Sequence, residues 1–166
     1  MKTNENLAEA FAGESQANRK YLAYGEAAAK EGLPQVAKLF RAVAAAETVH
    51  AHAHLRALGG VKKTAENLAA AIEGEAHEFE SMYPGFIATA EQEGQGQALL
   101  SMKRAMAVEQ IHHGLFTEAL KAVSAGADLA DAAIHVCAIC GHTVIGEAPD
   151  QCPVCKAKGE KYIEVA

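Results

Sequence analysis

The sequence predicts a mainly helical protein, a four-helix bundle followed by a small metal-binding domain with four cysteines. Of its 166 residues 50% are hydrophobic, but only 5% are aromatic and none is Trp. The apolar side chains are therefore mostly Ala, Leu and Val, which favour closely packed helices. Beyond about His135 the sequence becomes turn-rich and contains all four cysteines. We therefore assign residues 1–130 to the bundle and residues 131–166 to the small domain.

Glycine and proline mark the boundaries of four long amphipathic segments. Short connections of this kind make consecutive helices antiparallel neighbours. In the third segment we expect a kink or a break at Pro84, because proline lacks the N–H that a helix interior needs. The four predicted helices cover residues 4–31, 34–58, 64–93 and 97–123.

A Glu-x-x-His pattern occurs in the second and again in the fourth predicted helix. Glu47 and His50 form the first copy, and Glu109 and His112 form the second. Residues three apart on a helix point to nearly the same side, so each pair can direct a carboxylate and an imidazole at one ion. One copy alone would favour the simpler interpretation of a solvated surface pair. Two copies indicate a metal site.

The first and third helices add further carboxylates at a repeated distance. Glu47 follows Glu14 by 33 residues, and Glu109 follows Glu75 by 34. Glu78 lies one helical turn after Glu75. The two halves thus repeat one unit, and two Glu-x-x-His pairs with a Glu from each other helix form a dinuclear carboxylate site. Such a ligand set suits iron or manganese.

The small domain contains two Cys-x-x-Cys turns separated by eleven residues. The cysteines are Cys137, Cys140, Cys152 and Cys155. Paired turns of this kind place four thiolates at the corners of a tetrahedron. The spacing is compatible with a structural zinc ribbon and with a redox-active iron site, and it does not distinguish them.

Charge and hydropathy exclude several classes of protein. The net charge of −6 argues against a nucleic-acid partner, because a phosphate-binding surface needs excess Lys and Arg. Residues 1–6 are polar, and no apolar stretch is long enough for a membrane span. We expect a cytoplasmic protein with no membrane partner. There, reduced cysteines bind metal rather than form disulfides.

These motifs occur in the order found in rubrerythrins, and the chain resembles that family over essentially its full length. The matching stretches are AFAGESQANRKY, ETVH, GEAHEFESMYP, VEQIH and the two Cys-x-x-Cys turns. The resemblance implies a ferritin-like four-helix bundle with a di-iron centre, followed by a rubredoxin-like domain with one iron held by the four cysteines. Zinc is the alternative ion.

The resemblance also implies roles for individual residues. One iron moves between Glu78 when oxidised and His50 when reduced. Tyr21 and Tyr83 match family positions near the site, where a hydroxyl can donate a hydrogen bond. The residues implied as ligands in both redox states are Glu14, Glu47, Glu75, Glu109 and His112.

The implied activity is the reduction of hydrogen peroxide to water in oxidative-stress defence. Electrons would come from a separate NAD(P)H-linked reductase or a rubredoxin and pass through the four-cysteine iron. The family implies a homodimer or a higher homo-oligomer, in which the rubredoxin-like iron of one chain faces the di-iron centre of another. The alternatives are a ferroxidase or iron-storage protein and a metal-buffering protein.

The small domain departs from the family pattern at three positions. Rubredoxin-like turns often have an aromatic residue beside the first cysteine pair and Gly after the second, whereas this chain has His135, His142 and Lys156 in that neighbourhood. We therefore expect the potential of a bound iron to differ from the family's usual range.

Overall fold

The computed structural model describes residues 1–165. They form two compact units, the first from Met1 to Lys62 and the second from Lys63 onward. The predicted fold class, a mainly helical chain followed by a small four-cysteine domain, is confirmed. Within the described residues no helix has both the length and the apolar character needed to cross a membrane.

The first unit is a pair of long helices. Helix α1 spans Lys2–Lys30 and α2 spans Pro34–Ala57, so both predicted helices are confirmed to within two residues at each end. Gly32 has a φ of +76°, a conformation that glycine adopts without steric cost, and this residue turns the chain between the helices. Pro34 begins α2, where its missing N–H would have no helical partner anyway.

Small residues allow α1 and α2 to pack closely. Ala37, Ala44 and Ala51 are buried at a spacing of seven residues along α2. Across from them, a Cβ placed on Gly25 of α1 would lie only 3.3 Å from the carbonyl oxygen of Ala37. The close packing expected from the alanine-rich composition is therefore present in this pair.

The second unit begins with an interrupted helix. Helix α3 spans Thr64–His77, a π-helical turn spans Glu78–Met82, and α4 spans Tyr83–Gln92. The interruption expected at Pro84 is confirmed, although it takes the form of a π turn that ends just before it. Pro84 lies in the first turn of α4. Helix α5, Gly96–Ser124, packs against all three segments.

The remaining described residues form a small antiparallel sheet. Its strands are β1 (Ile134–Cys137), β2 (Thr143–Ile145) and β3 (Tyr162–Glu164), in the order β2-β1-β3. A 3-10 turn, Gly159–Lys161, precedes β3. Because β1 ends at a cysteine and pairs with both neighbours, the sheet fixes the position of the first Cys-x-x-Cys turn.

Candidate metal centres

The first unit contains a cluster of three donor groups, which we call the α1–α2 cluster: Glu14, Glu47 and His50. Their ligand atoms all lie within 4.8 Å of one another. His50 Nδ1 is 2.9 Å from Glu47 Oε2 and 3.8 Å from Glu14 Oε1. The side chain of His50 is 55% exposed, whereas that of Glu47 is only 15% exposed. One carboxylate of the cluster is thus well shielded and the imidazole is not.

A buried asparagine sets the register of the two helices at this cluster. The amide of Asn18 donates hydrogen bonds to Ala44 O at 2.7 Å and to Thr48 Oγ1 at 2.8 Å. Asn18 lies one helical turn after Glu14, and Thr48 follows Glu47 directly. The sequence reasoning missed this residue, although its position four residues after Glu14 on the same helix face was a usable signal.

The second unit contains a matching group, which we call the α3–α5 cluster: Glu75, Glu109 and His112. His112 Nδ1 is 2.8 Å from Glu109 Oε2 and 3.9 Å from Glu75 Oε1. The three side chains are between 17% and 25% exposed. Burial raises the pKa of the Glu75 carboxyl, and the nearby charge of Glu109 raises it further. The carboxylates of this cluster are therefore partly shielded from solvent and lie close to one another.

A cation fits both clusters. Each combines two carboxylates with one imidazole whose Nδ1 faces them, the hard donor set that iron and manganese accept. Without a cation the carboxylates repel one another, and this repulsion adds to burial in raising the pKa of Glu75. Helical spacing explains both arrangements, because each histidine follows its glutamate by three residues.

Glu78 and Tyr83 lie beside the α3–α5 cluster rather than within it. Glu78 begins the π turn, and it is not one of the three donors that lie within 4.8 Å. Burial raises the pKa of Tyr83, and the charges of Glu78, Glu109 and Glu75 add to that effect. Both predicted residues are therefore close enough to this cluster to interact with it electrostatically.

Tyr21 lies in an aromatic group of the first unit. Its ring centroid is 6.3 Å from that of Tyr24 and 6.1 Å from that of Phe40. These contacts describe a side chain packed between α1 and α2. A role for Tyr21 in chemistry stays a prediction.

The four cysteines come together as their spacing predicted. The Cys137 and Cys155 sulfurs are 3.7 Å apart, and those of Cys140 and Cys152 are 3.6 Å apart. A disulfide would require about 2.05 Å. Four sulfurs at about 2.3 Å from a central ion form a tetrahedron with edges of about 3.8 Å. The observed separations therefore fit one tetrahedral metal ion.

The environment of the sulfurs is uneven. Burial raises the pKa of Cys140 to about 12. Burial also acts on Cys152, but the backbone N–H groups of Cys155 and Val154 and the Tyr162 hydroxyl outweigh it and lower the pKa to about 6. Lys156, where the family often has Gly, adopts a φ of +62°. The second turn thus keeps the left-handed residue that its shape needs.

The comparisons with known proteins agree with both parts of the chain. The sequence model of the rubrerythrin family matches residues 5–120, and that of the rubrerythrin rubredoxin-like domain matches residues 135–163. The chain belongs to the rubrerythrin family. Members of this family are peroxidase-like oxidoreductases with iron as their cofactor.

Individual relatives cover nearly the whole chain. Rubrerythrin-2 of Clostridium acetobutylicum is 32% identical and aligns over 96% of this chain and 95% of its own length. Nigerythrin of Nitratidesulfovibrio vulgaris is 34% identical over 92% of this chain and 81% of its own. A solved structure of nigerythrin in a partially reduced state has a TM-score of 0.60 at 32% identity, covering 98% of this chain and 86% of that one.

Proposed function

We propose that the protein is a non-haem di-iron peroxidase that reduces hydrogen peroxide to water in oxidative-stress defence. The observation that carries this proposal is the presence in one chain of two carboxylate–imidazole clusters and a four-thiolate site. The clusters supply the ligand set of a di-iron centre, and the thiolates supply a site for a one-electron carrier. A storage protein needs only the first of these.

The ligand roles follow the residues in the two clusters. Glu78 and His50 are the exchangeable ligands of one iron. Two features support this assignment: Glu78 lies outside the compact α3–α5 cluster, and His50 is the most exposed of the cluster residues. The ligands common to both redox states are Glu14, Glu47, Glu75, Glu109 and His112. Cys137, Cys140, Cys152 and Cys155 hold the mononuclear iron.

The chemistry requires two electrons and two protons for each peroxide and yields two waters. When bound, a pair of ferrous ions would supply both electrons. Tyr83 contributes a hydroxyl that is protonated at neutral pH, and burial and the nearby carboxylates raise its pKa further. That hydroxyl can therefore donate a hydrogen bond to an oxygen atom beside the α3–α5 cluster.

The remaining parts of the proposal concern electron supply and assembly. The electrons would come from a separate NAD(P)H-linked reductase or a rubredoxin, and an iron held by the four cysteines would pass them on one at a time. The protein acts in the cytoplasm as a homodimer or a higher homo-oligomer. We expect iron in the four-cysteine site, with zinc as the substitute that would remove electron transfer.

A single-turnover experiment separates this function from ferroxidase or storage activity. The iron-loaded protein is reduced without oxygen and mixed with one equivalent of hydrogen peroxide, while the visible band of the four-thiolate iron is followed. We expect prompt reoxidation, faster than with oxygen. Glu109→Gln, which removes a ligand of the α3–α5 cluster but leaves the cysteines intact, is the control and should respond slowly. A wild-type response that is sluggish with peroxide and fast with oxygen would favour the ferroxidase.

A further inference from the structure

The imidazole of His112 makes contacts through both of its ring nitrogens. Nδ1 faces the α3–α5 cluster, 2.8 Å from Glu109 Oε2. Nε2 lies 3.0 Å from Thr143 Oγ1, at the first residue of β2. One histidine therefore joins helix α5 to the four-cysteine domain of the same chain.

A neighbouring carbonyl fixes the direction of these hydrogen bonds. Thr143 Oγ1 lies 3.0 Å from the carbonyl oxygen of Gly141. A carbonyl only accepts, so the hydroxyl donates its single proton to Gly141 and offers a lone pair to His112. Nε2 of His112 must then carry a proton and donate it. When a metal ion takes the place of the contact between Nδ1 and Glu109, the neutral ring presents an unprotonated Nδ1, the form in which imidazole binds a metal ion.

The surroundings favour a strong contact. His112 and Thr143 border a largely apolar cavity of about 350 Å³. The apolar lining removes competing hydrogen-bond partners on that side, which favours the contact between His112 and Thr143. On the other side Gly141 lies against α5, where a Cβ on this residue would be 3.7 Å from Val108 Cγ1. The apolar residues that line the cavity include Leu68, Leu115, Phe116, Leu129, Ile134 and Ile145.

The histidine of the other cluster has no such support. His50 also directs Nδ1 at its glutamate, 2.9 Å from Glu47 Oε2. Among residues 1–165, however, its Nε2 has no hydrogen-bond partner. Its side chain is 55% exposed, compared with 25% for His112. The threonine contact thus distinguishes one cluster from the other.

We propose that Thr143 is a positioning residue that holds His112 with Nδ1 directed at the metal and links the four-cysteine site to the α3–α5 cluster within one chain. Cys140 and Gly141 are consecutive, so two hydrogen bonds complete a path from a thiolate ligand to the imidazole. With iron bound at both sites, the four cysteines would hold the ion that gives up one electron, and His112 would hold the ion that accepts it. Neither hydrogen bond loses its proton.

This inference rests on the proposed function only for its electron-transfer part. The family resemblance implied transfer between chains, whereas the contact between His112 and Thr143 offers a route inside one chain. The positioning of the imidazole depends on metal binding alone. The two parts can therefore be tested separately.

The test compares two variants of Thr143. Thr143→Val removes the hydroxyl at nearly constant volume, whereas Thr143→Ser keeps it. Thr117→Val is the matched control, because it removes a hydroxyl from α5 that bonds only the His113 carbonyl. In the full-length chain we expect Thr143→Val to weaken ferrous-iron binding to the bundle about tenfold or more. Thr143→Ser and Thr117→Val should bind like the wild type. The visible band of the four-thiolate iron verifies folding in every variant.

Proton NMR of the reduced iron-loaded protein provides a readout that is independent of turnover. The exchangeable Nε2–H signal of His112 should be protected from solvent in the wild type and in Thr143→Ser, and lost in Thr143→Val. Single-turnover oxidation of the four-thiolate iron by peroxide should slow in Thr143→Val and recover in Thr143→Ser.

Three outcomes separate the possibilities. If Thr143→Val binds iron as tightly as the wild type and the Nε2–H signal of His112 stays protected, Thr143 does not position His112. If Thr143→Val binds ferrous iron more weakly but the four-thiolate iron is oxidised at the wild-type rate, the in-chain route is wrong. If the wild type fails to react with peroxide while the affinity and NMR effects remain, the proposed function is wrong and the positioning role stands.

Discussion

Replacing the buried asparagine of α1 should destabilise the first unit measurably. Asn18→Ala removes the amide that bonds Ala44 O at 2.7 Å and Thr48 Oγ1 at 2.8 Å. Two buried hydrogen bonds at about 1 kcal/mol each, together with the packing lost at this buried side chain, amount to about 2–3 kcal/mol. Alanine is the better helix former and returns about 0.5 kcal/mol. We therefore expect a net loss of about 2 kcal/mol.

The assay is urea unfolding of the metal-free protein, followed by far-ultraviolet circular dichroism. Gln16→Ala on the exposed side of α1 is the control and should leave the free energy of unfolding nearly unchanged. Asn18→Asp should cost more than Asn18→Ala, because it removes the donor and buries a charge between two acceptors. If Asn18→Ala were as stable as Gln16→Ala, the asparagine would not set the register of α1 and α2.

In the second unit, the carboxyl of Glu75, the thiolate of Cys152 and the turn at Gly159 can each be tested by one substitution. The pKa of Glu75 in the folded, metal-free protein lies above its ordinary value of 4.5. The free energy of unfolding is therefore undiminished below pH 4.5, where Glu75 is protonated, and it falls as the pH rises through the raised pKa and the carboxyl ionises. Glu75→Gln should therefore stabilise the metal-free protein at neutral pH in urea titrations, with the difference vanishing below about pH 4.5. Cys152→Ser should abolish the visible four-thiolate band and lower the iron content by one ion, because serine offers no thiolate. Gly159→Ala should destabilise the small domain, because the added Cβ would lie 2.7 Å from the carbonyl oxygen of Pro149. Faster hydrogen exchange of the β1 amides would measure the loss of stability.

Each of these predictions has a contrary result. Equal pH profiles for Glu75→Gln and the wild type would show that burial of this carboxyl has no energetic consequence. A four-thiolate band that survives Cys152→Ser would mean that this sulfur is not a ligand. Unchanged protection in Gly159→Ala, with Lys158→Ala as the exposed control, would show that the turn yields without cost.

The sequence predicted the elements whose signals are periodic. Helix ends follow from Gly and Pro, and the Glu and His donors on α2 and α5 follow from their spacing of three residues. Glu14 and Glu75 follow from the repeated separation of 33 and 34 residues. Asn18 and Thr143 were missed, because their roles depend on contacts across 26 to 31 residues that no periodicity encodes. Pro84 predicted an interruption, but no residue pattern indicated the π turn before it, which packs against α5.

Iron counting combined with Mössbauer spectroscopy tests the central claim most directly. The two carboxylate clusters and the four-cysteine site predict three irons per chain, one with the parameters of a tetrahedral four-sulfur site and two as a magnetically coupled pair with oxygen and nitrogen ligands. The coupled pair should disappear in Glu109→Gln while the sulfur-bound iron remains. A fully loaded protein with only the sulfur-bound iron, or with uncoupled irons unaffected by Glu109→Gln, would contradict the account.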